Sequence, residues 1–264
     1  IQDKSIITNR LQTTQAVDPP LFQAISTGTI RISGTSLSTT YSGTVAGQAF
    51  TVTTNSTDGY SQALTKIKQA IDNLNIGGLT VTKFKDNVRL TRPSSFTLTA
   101  TGGDFEDQAN SFQDQVATLA EIPSETAHNH VVKVANSGLV SPAYYLKFVA
   151  NNGVSGAGFW EETKSPSVST GLNPATMPHQ LVNTALNTFK LEPIPWVDRL
   201  VGDDETNKHP SFVGQKINQS FFHNNRLGFL SADTISMSQS GDFFNMYFAS
   251  GQTVIDSDPI DLSA

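Results

Sequence analysis

One helical stretch stands alone in a chain otherwise made of short alternating segments. In DGYSQALTKIKQAIDNLNIGG, Ala63, Ile67, Ala70, Ile71 and Leu74 recur at helical spacing, with Lys66, Lys68, Gln69 and Asp72 between them. That period marks an amphipathic helix. Asp58 or Ser61 is expected to cap its start, and Gly77-Gly78 to end it. The flanks alternate at period two: TIRISG, STTYSGTVAG and QAFTVTT before, LTVTKF, NVRLTR and SFTLTA after. A lone apolar stripe must find a partner, so the helix is expected to lie on an antiparallel sheet.

Three parts follow from the texture of the chain. Residues 1–27 carry a candidate strand, SIITNR, and a connection through Pro19-Pro20. An unpaired strand such as Ile6 to Arg10 is one that could add to a neighbouring sheet. Residues 28–122 form the small α+β module. Within it, DFEDQANSFQDQVATLAEIP has weak helical spacing through Phe105, Phe112, Val116 and Leu119, and reads equally as an extended linker with a short helix. From 123 to 264 short strands arrive at regular spacing: HNHVVKVAN, AYYLKFVAN, GAGFWEET, TMPHQLVNTA, KINQSFF, RLGFLS and DTISMSQS. Such a series points to a sandwich, barrel or propeller-type sheet. The sequence stops while strands still arrive, so this part reads as incomplete. The expected class is α+β and β-rich, a helix-on-sheet module followed by an all-β, propeller-like domain.

Composition narrows the chemistry. With no cysteine, disulfides, cysteine zinc sites and thiol nucleophiles are removed at once. A net charge of −6 argues against tight nonspecific nucleic-acid binding, which needs a lysine and arginine surplus. A weakly acidic wall would not stick to a sliding duplex. No apolar run is long enough to span a bilayer, so no stable membrane insertion is expected. The opening IQDKSIITNR has no initiating Met, and the chain reads as an internal piece of a longer polypeptide.

Four stretches invite a chemical reading. GDDETNKHPSFVG, from Gly202 to Gly214, gathers Asp203, Asp204, Glu205 and His209. It lacks the ligand spacing, central Gly and terminal Glu of a calcium loop, and it is not a phosphate-binding loop. The plainer reading is an ordered loop whose Asp and Asn side chains bond to nearby amides, with Pro210 stiffening its exit. SETAHNH places Glu125, His128 and His130 together, and histidines at i and i+2 of a strand share a face. No third ligand accompanies them, so exposed, unliganded histidines are the plainer reading. GFWEETKSP sets Trp160 beside Glu161 and Glu162, an aromatic with two acids of the kind a glycosidase uses, with Tyr144 and Tyr145 nearby in sequence. Adjacent strand residues point to opposite faces, so the two glutamates do not form a dyad. SFFHNNRLGFLS surrounds Arg226 with apolar residues, and a charge beside a sheet needs a partner. We expect a bond from Arg226 to Asp203 or Asp204, or the same role for Arg199. No nucleophile elbow, dinucleotide fingerprint or cofactor motif is present, so no catalytic residue and no cofactor is assigned.

Several of these stretches together resemble one family. In order they are TMPHQLV, PWVDRLVGDDETNKHPSFVGQKI, FFHNNRLGFLS, MSQSGDFFNMY and DSDPID. Trp-x-x-Arg-x-x-Gly-Asp, Thr-Asn-x-x-Pro-Ser-Phe and Asn-Arg-Leu-Gly-Phe-Leu resemble the tail tubular protein B, or nozzle, proteins of short-tailed phages. They fall on Trp196, Arg199, Gly202, Asp203 and, beside it, Asp204, then Thr206, Asn207, Pro210, Ser211, Phe212, Asn225, Arg226, Leu227, Gly228, Phe229 and Leu230. Lys208 stands where family members often have Pro, which touches only loop stiffness. The resemblance is strong over about residues 176–261 and weaker over 28–101. It implies a virion tail structural protein and not an enzyme. It further implies a hexameric ring conduit that gates DNA ejection. Its partners would be an adaptor or gatekeeper tail protein, tail fibres and, transiently, phage DNA. A carbohydrate-binding or glycan-hydrolysing tail module is the alternative.

Overall fold

The computed structural model describes residues 4–21, 26–33, 38–102, 108–138 and 141–263. Its contacts group the chain into two compact units, Phe22–Thr163 and the pair Ile1–Leu21 with Lys164–Ala264. The three-part division read from texture, with boundaries after 27 and 122, follows different lines. The first residues pair with a late strand, and the strands between 123 and 163 group with the helix.

In the helix-bearing unit the helix is Tyr60–Asp72, and it buries Ala63, Leu64, Ile67 and Ile71. Gly59, with no side-chain cap, stands at its N-cap. Asp58 is turned elsewhere: its carboxylate accepts from the Asn55 amide at 2.8 Å and pairs with Lys66. The helix stops at Asn73, and Asn75 takes a left-handed φ of 50° before Gly77-Gly78 is reached. Asparagine tolerates that region almost as glycine does. So neither expected cap acts as one, and the chain leaves the helix a turn early.

The helix lies on antiparallel ladders. One sheet runs Thr80–Lys83, Asn87–Thr91, Thr27–Ile32 and Ala109–Phe112; another runs Gln48–Thr53, Thr40–Val45 and Leu98–Gly102. Ile30, Ile32, Val88 and Leu90 from the first, with Tyr41, Val45, Phe50 and Val52 from the second, make one core with the helix. Gly43 permits the close pairing within the second sheet, since a Cβ there would lie 2.0 Å from the Thr99 carbonyl.

The ambiguous stretch after residue 107 is extended. Ala109–Phe112 and Gln115–Val116 are strands, followed by a 3-10 turn at Leu119–Glu121. Phe112 and Val116 are both buried, and their i, i+4 spacing arises from two short strands and a turn. Phe105 and Gly34 lie outside the described residues. A further sheet of this unit runs Gly158–Thr163, Tyr144–Ala150, Val131–Val134 and Gln115–Val116, the last pair parallel. Tyr144–Ala150 alternates buried and half-buried at every residue, the period of a strand.

Among its described residues the other unit contains two sheets. Lys4–Ile7, His179–Ala185 and Thr188–Pro193 form one, in that order. The expected N-terminal strand is therefore present and paired within its own chain, Ile6 facing Gln180. Ile217–His223, Arg226–Ser231, Thr234–Met237 and Ile260–Ser263 form a four-stranded antiparallel sheet in chain order. Asn224 and Asn225, with φ of 46° and 59°, make the tight turn between its first two strands. Trp196, Phe212, Phe229, Leu227 and Tyr247 lead its core. No sheet closes into a barrel among the described residues, and the class is α+β and β-rich.

Candidate functional site

The loop after Trp196 is built from the inside out. Ile194, Trp196 and Arg199 are all buried, on a stretch without regular secondary structure. Trp196 meets Phe229 tilted and Phe244 edge-on, each ring centroid at 5.9 Å, and Phe212 meets Phe229 edge-on at 5.4 Å. Gly202 then reverses the chain at φ +77°, and a Cβ there would lie 2.7 Å from Thr206 Oγ1.

Asp203 closes the reversal. Its Oδ1 accepts from the Glu205 amide, the Thr206 amide and the Thr206 hydroxyl, each at 3.0 Å. The Asn207 amide donates to the Asp203 carbonyl at 2.9 Å. Asn207 is buried and acts as a staple. Its Nδ2 donates to the carbonyls of Val201 and Phe248, and its Oδ1 accepts from the Phe248 amide at 2.9 Å. This is the bond pattern of a strand neighbour supplied by one side chain.

Arg199 is fully buried beneath this loop. Nη1 donates to Asp204 Oδ1 at 2.7 Å and to the Asn207 carbonyl at 2.9 Å. Nε and Nη2 both donate to the Ser169 carbonyl, at 3.2 and 2.8 Å. Tyr247 lies under the guanidinium, its ring centroid 5.9 Å away. The Asp204 side chain is 69% exposed. Water screens its charge, so the buried carbonyls hold Arg199 more than the acid does.

Arg226 does not reach Asp203 or Asp204; Arg199 takes that role for Asp204. Arg226 donates from Nη1 to the carbonyls of Ser238 and Asp258, at 2.7 and 2.6 Å, and from Nη2 to that of Asp256 at 2.7 Å. A second buried guanidinium thus braces the long connection before the last strand. Asp258 completes it by accepting the amides of Ala249 and Ile255. Gly228 is needed by its neighbour: a Cβ there would meet the Phe221 ring at 2.2 Å. Pro210 is buried at the loop's exit, and its carbonyl accepts from the Val213 amide at 2.9 Å.

His209 pairs with Tyr247 at 2.7 Å, Nδ1 to hydroxyl. Burial lowers the His209 pKa and the Arg199 charge lowers it further, against the opposing charge of Asp204. Burial raises the Tyr247 pKa, opposed by Arg199. Both shifts disfavour a charge on either ring of this pair.

Asp203, Asp204 and His209 are thus separately engaged. Among the described residues no group of three or more His, Asp or Glu is placed to hold a metal. His128 and His130 also have tasks inside the fold. His128 Nδ1 accepts the Ala150 amide at 3.2 Å. His130 is buried beside Thr126, with Nδ1 and Oγ1 3.0 Å apart. This differs from the expected exposed pair. Trp160 is wedged between His130 and Phe148 and donates Nε1 to the Pro123 carbonyl at 2.8 Å. Glu161 pairs with Lys147 at 2.9 Å. Sequence reasoning missed Asn207's staple, Tyr247 and Asp258. Their partners lie up to 41 residues away, a range no local spacing encodes.

Interlocking turns anchored by buried arginines define a structural module of a β-rich protein. The bacteriophage nozzle protein family model matches residues 1–264. Tail tubular protein gp12 of Escherichia phage T7 is 32% identical over 213 residues, covering 79% of this chain and 26% of that protein. The chain belongs to the bacteriophage nozzle protein family and is a structural protein of the phage tail. It spans about a quarter of the length of the curated relative it matches.

Proposed function

We propose that this chain is one segment of a tail nozzle, a ring of six identical subunits through which the genome leaves the virion. The family match over residues 1–264 is the observation that carries the reading. Copies pack side by side, an adaptor or gatekeeper protein sits above, and tail fibres attach at the side. Contact with DNA is transient and independent of sequence. The net charge of −6 supports a low-friction path, because a lysine- and arginine-rich wall would exchange counterions with the duplex and hold it. The role is mechanical rather than catalytic.

The residues Trp196, Arg199, Asp203, Asp204, Asn207, Pro210, Phe212, Asn225, Arg226, Gly228 and Phe229 serve this role by fixing loop shape. A conduit under genome pressure needs loops that do not open, and guanidinium groups bonded to buried carbonyls supply that rigidity. The four-stranded antiparallel sheet has the form of a propeller blade, and chain beyond this segment would supply further blades. A test is mass spectrometry of the full-length protein under native conditions. Six subunits per particle support the reading; a stable monomer at high concentration contradicts it.

A further inference from the structure

Behind the helix-bearing core lies a group of buried polar atoms that no protein group satisfies. In Asn87–Thr91, Val88 and Leu90 face the helix, so Asn87 and Arg89 face the other way. Thr29 stands directly across the ladder from Arg89. Thr29 Oγ1, Asn87 Oδ1, Arg89 Nε and His130 Nε2 are all shut off from solvent and lack a hydrogen-bond partner. Asn87 Nδ2 donates to the Glu125 carbonyl at 2.7 Å, which ties the segment carrying His130 to this face. Trp160 closes the far side of His130, ring centroids 5.7 Å apart.

The charge here is also unmatched. Arg89 is half-buried and forms no ion pair with a described carboxylate. The acid just before the strand, Asp86, is taken by Arg31 and by the Ser124 amide at 2.8 Å. Burial lowers the pKa of Arg89. It lowers that of His130 to about 3, with the Arg89 charge contributing. When the Thr126 hydroxyl donates to Nδ1, the neutral imidazole carries its proton on Nε2 and can donate there. In that tautomer Arg89 Nε and His130 Nε2 donate, Thr29 Oγ1 can donate or accept, and Asn87 Oδ1 can only accept.

Buried polar atoms without partners mark an ordered water or ion. A water would satisfy the donors and leave the Arg89 charge unmatched; an anion answers both. We propose that Arg89, His130 and Thr29 form a binding site for a small monovalent anion of the halide type.

The test uses the 264-residue chain. Thermal unfolding is followed as chloride replaces gluconate at constant ionic strength. Binding to the folded state alone gives a saturable rise in Tm. Thr29→Val keeps the shape, removes one donor and should weaken the apparent chloride affinity about threefold to tenfold. Arg89→Met should abolish the chloride dependence; should it fail to fold, Thr29→Val still decides. Crystals soaked in bromide should give an anomalous peak within hydrogen-bond distance of Arg89 Nε and His130 Nε2. A water at that place, or Arg89 closing directly onto His130, overturns the proposal. So does equal chloride dependence in wild type and Thr29→Val. A bromide peak without any chloride effect on Tm means an adventitious ion only and overturns it too.

Discussion

Arg199 and Asp204 touch, yet they are not equal partners. The arginine is buried and serves three acceptors, whereas the aspartate side chain is 69% exposed. Arg199→Met leaves the carbonyls of Ser169 and Asn207 buried without donors and should cost about 3–5 kcal/mol in urea unfolding. Asp204→Asn should cost at most about 1 kcal/mol. Equal losses would mean that the ion pair, not the carbonyl cage, holds the loop. His130 gives a pH dependence. Its pKa falls from 6.5 in the unfolded chain to about 3 in the fold, through burial first and Arg89 second. Between those values the unfolded chain binds a proton that the folded chain refuses. Stability is therefore full above pH 6.5 and declines as pH falls toward 3. The slope is up to about 1.4 kcal/mol per pH unit. In chloride-free buffer, His130→Gln should flatten that part of the urea-midpoint profile.

Elements differ in how much of them could be read from sequence. The helix was legible because five apolar residues recur at helical spacing with polar residues filling the rest. Its ends were not, because Asp58 is drawn off by Lys66 and Asn75 reverses the chain before the glycines. The stretch from Phe112 to Val116 carried a helical period by accident, since two short strands and a turn put both residues inward. The arginine-held loop was legible as an ordered turn through Asp203, and the choice between Arg199 and Arg226 was left to tertiary structure. The Asn224-Asn225 turn tests element-scale specification. Asn225→Val forces a β-branched residue to φ of 59° and should cost about 1–3 kcal/mol, whereas Asn225→Gly should be nearly neutral. Comparable unfolding midpoints for the two variants would contradict the positive-φ account.

At the scale of the whole molecule, the proposed subunit ring would give exposed apolar residues a partner. Phe189 and Leu191, more than half exposed, stand on one face of the strand Thr188–Pro193. Loops that line a DNA path should be neutral or mildly acidic, in keeping with the chain's charge of −6. Electron cryo-microscopy of the assembled tail, with the full-length protein in place, tests the central claim most directly. The account predicts six copies of this segment around the tail axis, each with Arg199 still bonded beneath its loop, and no basic stripe facing the channel. A segment found outside the ring, or a channel lined by lysine and arginine, would contradict it.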